Sequence, residues 1–151
     1  MTQLLRTIDQ LQTYIDDHSI TNQSISAGSV GWHIEHSLLV IQKITETIHA
    51  SNPSEYQWSF NFKRLYVFLK KGFPRGRAKA PDVVIPTPNL TVDQLMESIT
   101  KTKLAVASLQ QAANNQYFMH PFFGKLHKKS SIKFFDIHTR HHIKIIQDIL
   151  N

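Results

Sequence analysis

Apolar residues spaced three and four apart run through most of this chain and leave little room for a sheet. Leu4, Ile8, Leu11 and Ile15 recur at i, i+4, i+7 and i+11, the stripe of an amphipathic helix that Thr2 is placed to cap. Polar residues from His18 to Ser26 read as a loop. A second helix is expected from about Gly28 to Ala50, closed by Asn52-Pro53-Ser54. A shorter helix covers about Phe60 to Lys71 and stops at Gly72 and Pro74. Thr91-Val92-Asp93-Gln94 matches a capping box, in which a hydroxyl and an amide satisfy each other's free backbone donors. It opens a helix to about Asn114, buried through Leu95, Ile99, Val106 and Leu109, and a last helix follows from about Ser130 to Leu150. Strand-like composition is confined to Val83-Val84-Ile85. The stretch from Gly72 to Pro88 holds four of the six prolines and reads as a crossover inside one domain, because neither flank could fold alone. The expectation is all-α: a single domain over residues 1–151, a four-helix bundle with one long crossover containing a short extra helix.

A chain of 151 residues can bury one core of ordinary size. No apolar run approaches ~18 residues, so no membrane-spanning helix is expected. Asp9 and the lack of an apolar h-region in the first ten residues point away from a secretory leader. The absence of cysteine excludes disulfides, thiolate nucleophiles and every Cys-ligated metal site. The expected compartment is therefore the cytoplasm. Nine histidines are the abundant residues with chemistry, so any metal must be held by imidazole and oxygen.

The last helix is the most informative. With His138 set at zero and ~100° per residue, Phe134, Phe135, His142, Ile145 and Ile149 all fall within about 60° of it. Lys133, Asp136, Arg140, Lys144 and Gln147 collect on the opposite side. His138 and His142 are thus one turn apart, ~6 Å along the axis, in the middle of the core-facing stripe. Unpartnered buried imidazoles are costly, so two at this spacing call for hydrogen-bond partners or a shared metal ion. His141 lies on the flank. On the second helix, Trp32, Leu39 and Val40 lie within ~60° of His36, which makes His36 the candidate third ligand and His33, one turn earlier, the alternative. Ile34, Leu38, Ile41 and Ile48 fall on the other side, so this helix is central to its bundle or shared with a partner chain. His18, His49 and His127 read as surface residues.

Three segments together carry a family resemblance. His36 in SVGWHIEHSLLVI, HPFFGKL from His120 to Leu126, and FFDIHTRHHIKII from Phe134 to Ile146 resemble the DinB-like (DinB/YfiT) superfamily, in the branch with an HPFFG-type loop before its last helix. The resemblance implies a four-helix bundle, often dimeric. It also implies a divalent metal held by one histidine of the second helix and two of the last, here His36, His138 and His142. Whether His33, His120 or His141 joins them is left open.

Three neutral imidazoles would leave a divalent ion one or more positions for water or substrate, and zinc so placed lowers the pKa of bound water to roughly 7. Imidazole also suits nickel and iron, so the ligands do not choose the metal. Each ligand ring should pass its second nitrogen's proton to an acceptor, for which Glu35, Glu46 and backbone carbonyls are candidates. No residue stands out as a catalytic base.

The formal net charge is +6, from 17 basic against 11 acidic residues. Eleven of the basic residues fall in two clusters: Lys63, Arg64, Lys70, Lys71, Arg75, Arg77 and Lys79, then Lys125, Lys128, Lys129 and Lys133. They form a solvated face, or Arg75, Arg77 and their loop guide an anionic substrate to the metal. The favoured reading is a metal-dependent thiol transferase or hydrolase acting on a small anionic or thiol substrate, homodimeric and without a membrane partner. Two rivals remain. One is a non-catalytic dimeric bundle with structural histidines. The other is a nucleic-acid-binding module that uses the basic residues with Phe62, Tyr66, Phe68 and Phe73, although their helical spacing points these aromatics at the bundle.

Overall fold

Each apolar stripe becomes a helix. In a computed structural model that describes residues 1–74 and 80–151, five α-helices and a two-stranded hairpin follow in the order α1 (Thr2–Gln12), α2 (Val30–Ala50), α3 (Phe62–Lys70), α4 (Val92–Ser108), β1 (Tyr117–His120), β2 (Gly124–His127) and α5 (Lys128–Leu150). The chain is mainly α. The long helix α2 packs against both α4 and α5, and α1 packs against α5 and α4. Leu4, Ile8 and Leu11 of α1 meet Ile34, Leu38 and Ile41 of α2, Leu95 and Val106 of α4, and Phe135 and Ile146 of α5 in one core. Among the described residues no helix is long and apolar enough to cross a membrane.

The helix ends depart from the sequence expectation for local reasons. Met1, not Thr2, is the N-cap of α1, and no side chain caps it. Ile15 leaves the helix but stays buried in a short 3-10 turn, Ile15–Asp17. The capping box of α4 is present: Gln94 N–H donates to Thr91 Oγ1 (3.3 Å) and Thr91 N–H to Gln94 Oε1 (2.9 Å). At the far end α4 stops at Ser108 because the chain tightens into i→i+3 bonds, from Leu109 N–H to Val106 through Ala112 N–H to Leu109. His127, read as a surface residue, caps α5 by accepting from Ser130 N–H at 3.0 Å, so that helix starts two residues earlier than expected.

The start of α2 sets the register of its histidines, and three groups hold it. Ser29 Oγ accepts from Trp32 N–H (3.1 Å), Ile20 C=O from Val30 N–H (3.0 Å) and His18 C=O from Gly31 N–H (2.8 Å). The free donors of the first turn are thereby satisfied by a docked loop. Gly31 is what lets the loop come so close, since a Cβ there would lie 2.9 Å from the His18 carbonyl oxygen.

The hairpin is the main departure from the all-α expectation. HPFFG is its turn: Tyr117 pairs with His127, Phe118 with Leu126, Met119 with Lys125 and His120 with Gly124. Gly124 takes φ +69°, the left-handed conformation a three-residue hairpin loop needs at its end. Conversely, Val83-Val84-Ile85 forms no strand. Asp82–Val84 is a 3-10 turn that sinks Val84 into the core.

Candidate metal centre

Helices α2 and α5 run side by side and bring their histidines to one place. One ring nitrogen from each of His36, His138 and His142 lies within 4.8 Å of the other two. The ring centroids stand 4.6 Å apart for His138 and His142, 4.8 Å for His36 and His142, and 5.2 Å for His36 and His138. His36 and His142 are buried and His138 is half-buried. These are the three residues that the sequence singled out.

Hydrogen bonds orient the rings. His36 Nδ1 is 2.8 Å from the carbonyl oxygen of Val84, so it carries the proton and donates, which leaves Nε2 with the lone pair. Trp32 stacks on the same ring, centroids 4.9 Å apart and planes 12° from parallel. His142 Nδ1 lies 2.9 Å from His33 Nδ1, and His33 Nε2 lies 2.9 Å from Ser26 Oγ. One tautomer assignment leaves Nε2 of His142 free to ligate: His142 donates to His33, and His33 donates to Ser26. His33 is therefore not a fourth member of the cluster but the outer partner of His142.

The acceptors differ from those the sequence offered. Glu46 is exposed and pairs with Lys43 (3.0 Å), and Glu35 turns toward Ser98 of α4, where burial raises its pKa. Neither serves a ligand ring. A backbone carbonyl in the crossover and a second histidine do so instead. Val84 left a faint signal as an apolar residue in a proline-rich stretch, whereas the role of His33 depends on where α5 passes and left none.

His120 and His141 border the cluster without joining it. His120 stacks on Phe123 (4.2 Å, 13°) and meets Phe134 edge-on (5.0 Å), and Phe134 in turn lies 5.5 Å from His138. His141 packs edge-on against Phe73 (5.6 Å) and His142 (5.3 Å). One side of the cluster is thus an aromatic wall. Arg75 and Arg77, expected to guide an anion inward, lie outside the described residues.

Burial keeps the cluster neutral. It holds His138 and His142 well below the ordinary imidazole value, and the neighbouring histidines lower both further. Burial also lowers His36, although its bond to Val84 opposes the shift, and pushes His120 down to about 4. Near neutral pH the ligand nitrogens therefore keep their lone pairs. Nδ1 of His138 is buried with no hydrogen-bond partner, a costly state for a polar atom unless something else engages it. Three neutral imidazoles, two of them anchored from behind and one with an orphaned nitrogen, suit a divalent borderline ion such as zinc, nickel or iron.

No protein-family model matches the chain, and neither a curated protein nor a solved structure matches it significantly.

Proposed function

We propose that this chain is a metal-dependent enzyme of the DinB-like superfamily, a four-helix bundle that dimerises. In this reading His36, His138 and His142 hold a divalent ion, and the protein acts as a thiol transferase or hydrolase on a small anionic substrate. The observation that carries it is the convergence of three imidazole nitrogens from two helices within 4.8 Å. Bound there, the ion would supply a Lewis acid able to polarise a substrate or lower the pKa of a thiol or water.

The chain's own residues account for the rest. Val84 C=O and His33 fix two ring orientations, so those ligands lose little freedom on binding. Trp32, Phe73 and Phe134 pack around the rings, an apolar surrounding that strengthens electrostatic attraction. The group contains imidazoles and no carboxylate. The ion's charge would then stay uncompensated by its ligands, and an anionic ligand such as a thiolate or carboxylate is the natural occupant of an open position.

In the rival reading the histidines are merely structural, held by the bonds at Val84 and His33. Elemental analysis of protein purified without a histidine tag separates the two. About one zinc, nickel or iron per chain is expected, lost in His138→Ala and His142→Ala. A metal-free protein whose melting temperature is unmoved by added Zn²⁺ or Ni²⁺ would end the proposal.

A further inference from the structure

Helix α3 turns its larger apolar stripe outward. With Phe62 at zero and ~100° per residue, Leu65, Tyr66 and Leu69 fall between about −60° and +40°, while Val67 and Phe68 point the opposite way. Val67 is buried and Phe68 packs on Phe123, so the helix is anchored by its narrow side. The outward stripe is open: Phe62 is 77% exposed, Leu65 43%, Tyr66 58% and Leu69 71%. This reverses the sequence expectation for Phe62 and Tyr66.

The stripe continues onto its neighbours. Trp58 and Phe60, just upstream, are also exposed, and Phe60 meets Phe62 edge-to-face at 4.9 Å. The exposed hairpin tip Phe122 is tied to the helix: its carbonyl accepts from Asn61 Nδ2 (3.0 Å) and Lys63 Nζ sits 5.7 Å from its ring. Isolated exposed apolar residues are ordinary, but seven gathered on α3, the segment before it and the hairpin tip mark an interaction surface.

Charge selects the partner. From Tyr56 to Pro81 the sequence contains no Asp or Glu, and Lys63 and Lys70 flank the stripe on α3, with Lys71 at its C-cap, whereas Arg64 lies on the opposite side and donates to the carbonyls of Ser59 and Phe123. A second copy docking through the same face would bring these cations against their own equivalents, which is repulsive. Single-stranded nucleic acid would use the aromatic faces, but Leu65 and Leu69 have no π surface, and Phe60 and Phe62 already pack on each other. A bilayer with anionic headgroups takes both components, the leucines and aromatics into the acyl boundary and the lysines at the phosphates.

Against the sequence expectation of no membrane partner, we infer that the face formed by α3, the segment before it and the hairpin tip docks this protein onto an anionic membrane surface without crossing it. The inference stands apart from the metal centre and does not depend on it.

Flotation of the full-length protein with vesicles tests it, comparing phosphatidylcholine alone with a mixture containing about one third phosphatidylglycerol. Binding to the anionic vesicles only is expected, weakening as salt rises from about 0.05 to 0.5 M. Leu65→Ser and Leu69→Ser should each weaken it roughly tenfold. Both side chains are exposed, so melting temperature and helical circular dichroism should hold and a folding defect would be visible. Absence of vesicle binding at low salt overturns the inference. So does retardation of a single-stranded oligonucleotide without vesicle binding, or a concentration-dependent dimer in sedimentation that Leu69→Glu dissociates while vesicles are ignored.

Discussion

His33 is the residue on which the orientation of the cluster can be tested most directly. It is 3% exposed, its Nδ1 lies 2.9 Å from His142 Nδ1, and its Nε2 lies 2.9 Å from Ser26 Oγ. Replacing it with alanine leaves His142 Nδ1–H buried and unpaired, which costs about 1–3 kcal/mol. For a chain of this size that lowers the melting temperature by about 2–12 °C. Without its partner the His142 ring is also less firmly held and less basic, so affinity for a divalent ion should fall by about 10–100-fold, or about 1.4–2.8 kcal/mol. Asparagine separates this from simple loss of bulk, because its Oδ1 sits near the place of Nδ1 and can still accept from His142. His33→Asn should keep zinc affinity within about threefold of wild type. The assay is competition for Zn²⁺ against a chromophoric chelator near pH 7.5, with melting curves of the metal-free variants alongside. If His33→Ala binds zinc as tightly as wild type, or if alanine and asparagine weaken it equally, the outer hydrogen bond does not position His142 and the reasoning fails.

The remaining predictions concern pH and the helix starts. His36, His138 and His142 bind protons less readily folded than unfolded, so their stabilisation is complete above the ordinary imidazole value of about 6.5 and declines as pH falls below it, by about 1.4 kcal/mol per unit for each ring while the folded form stays neutral. His120, held down to about 4, adds to the decline over the same acid range. Melting of metal-free protein followed from about pH 8 to 5 should show this loss, and a flat profile would mean the rings are not buried as described. Gly31→Ala gains about 1 kcal/mol of helix propensity but pushes a methyl to 2.9 Å from the His18 carbonyl, a clash costing about 1–3 kcal/mol. Thermal denaturation should show a net loss, and a stabilised variant would show that the 18–20 loop does not dock there. Thr91→Ala removes half of the capping box and should cost about 1 kcal/mol by urea denaturation with an unchanged slope, and no shift in midpoint would mean the box does not hold α4.

The sequence by itself determined the helices and the ligand candidates. An apolar repeat of three and four must bury one face of a helix, so α1, α2, α4 and α5 followed from spacing. His138 and His142, one turn apart on such a face, had to turn to the same side, where His142 is buried and His138 half-buried. What the sequence could not decide was whatever depended on which elements meet. His33 and His36 lie on nearly the same face of α2, and only the path of α5 makes one a member of the cluster and the other its hydrogen-bond partner. The acceptor for His36 comes from residue 84, 48 positions away, through a turn whose β-branched composition suggested a strand. The hairpin around HPFFG was not legible because four-residue strands carry too few alternations to register as a periodic signal, although its Gly124 and short loop were a usable turn cue. For α3, periodicity marked an apolar stripe without fixing its direction. Val67 and Phe68 took the inward side, so Phe62, Leu65 and Leu69 had to face out. Local spacing dictates which residues share a face. Only the packing of distant segments dictates what each face meets.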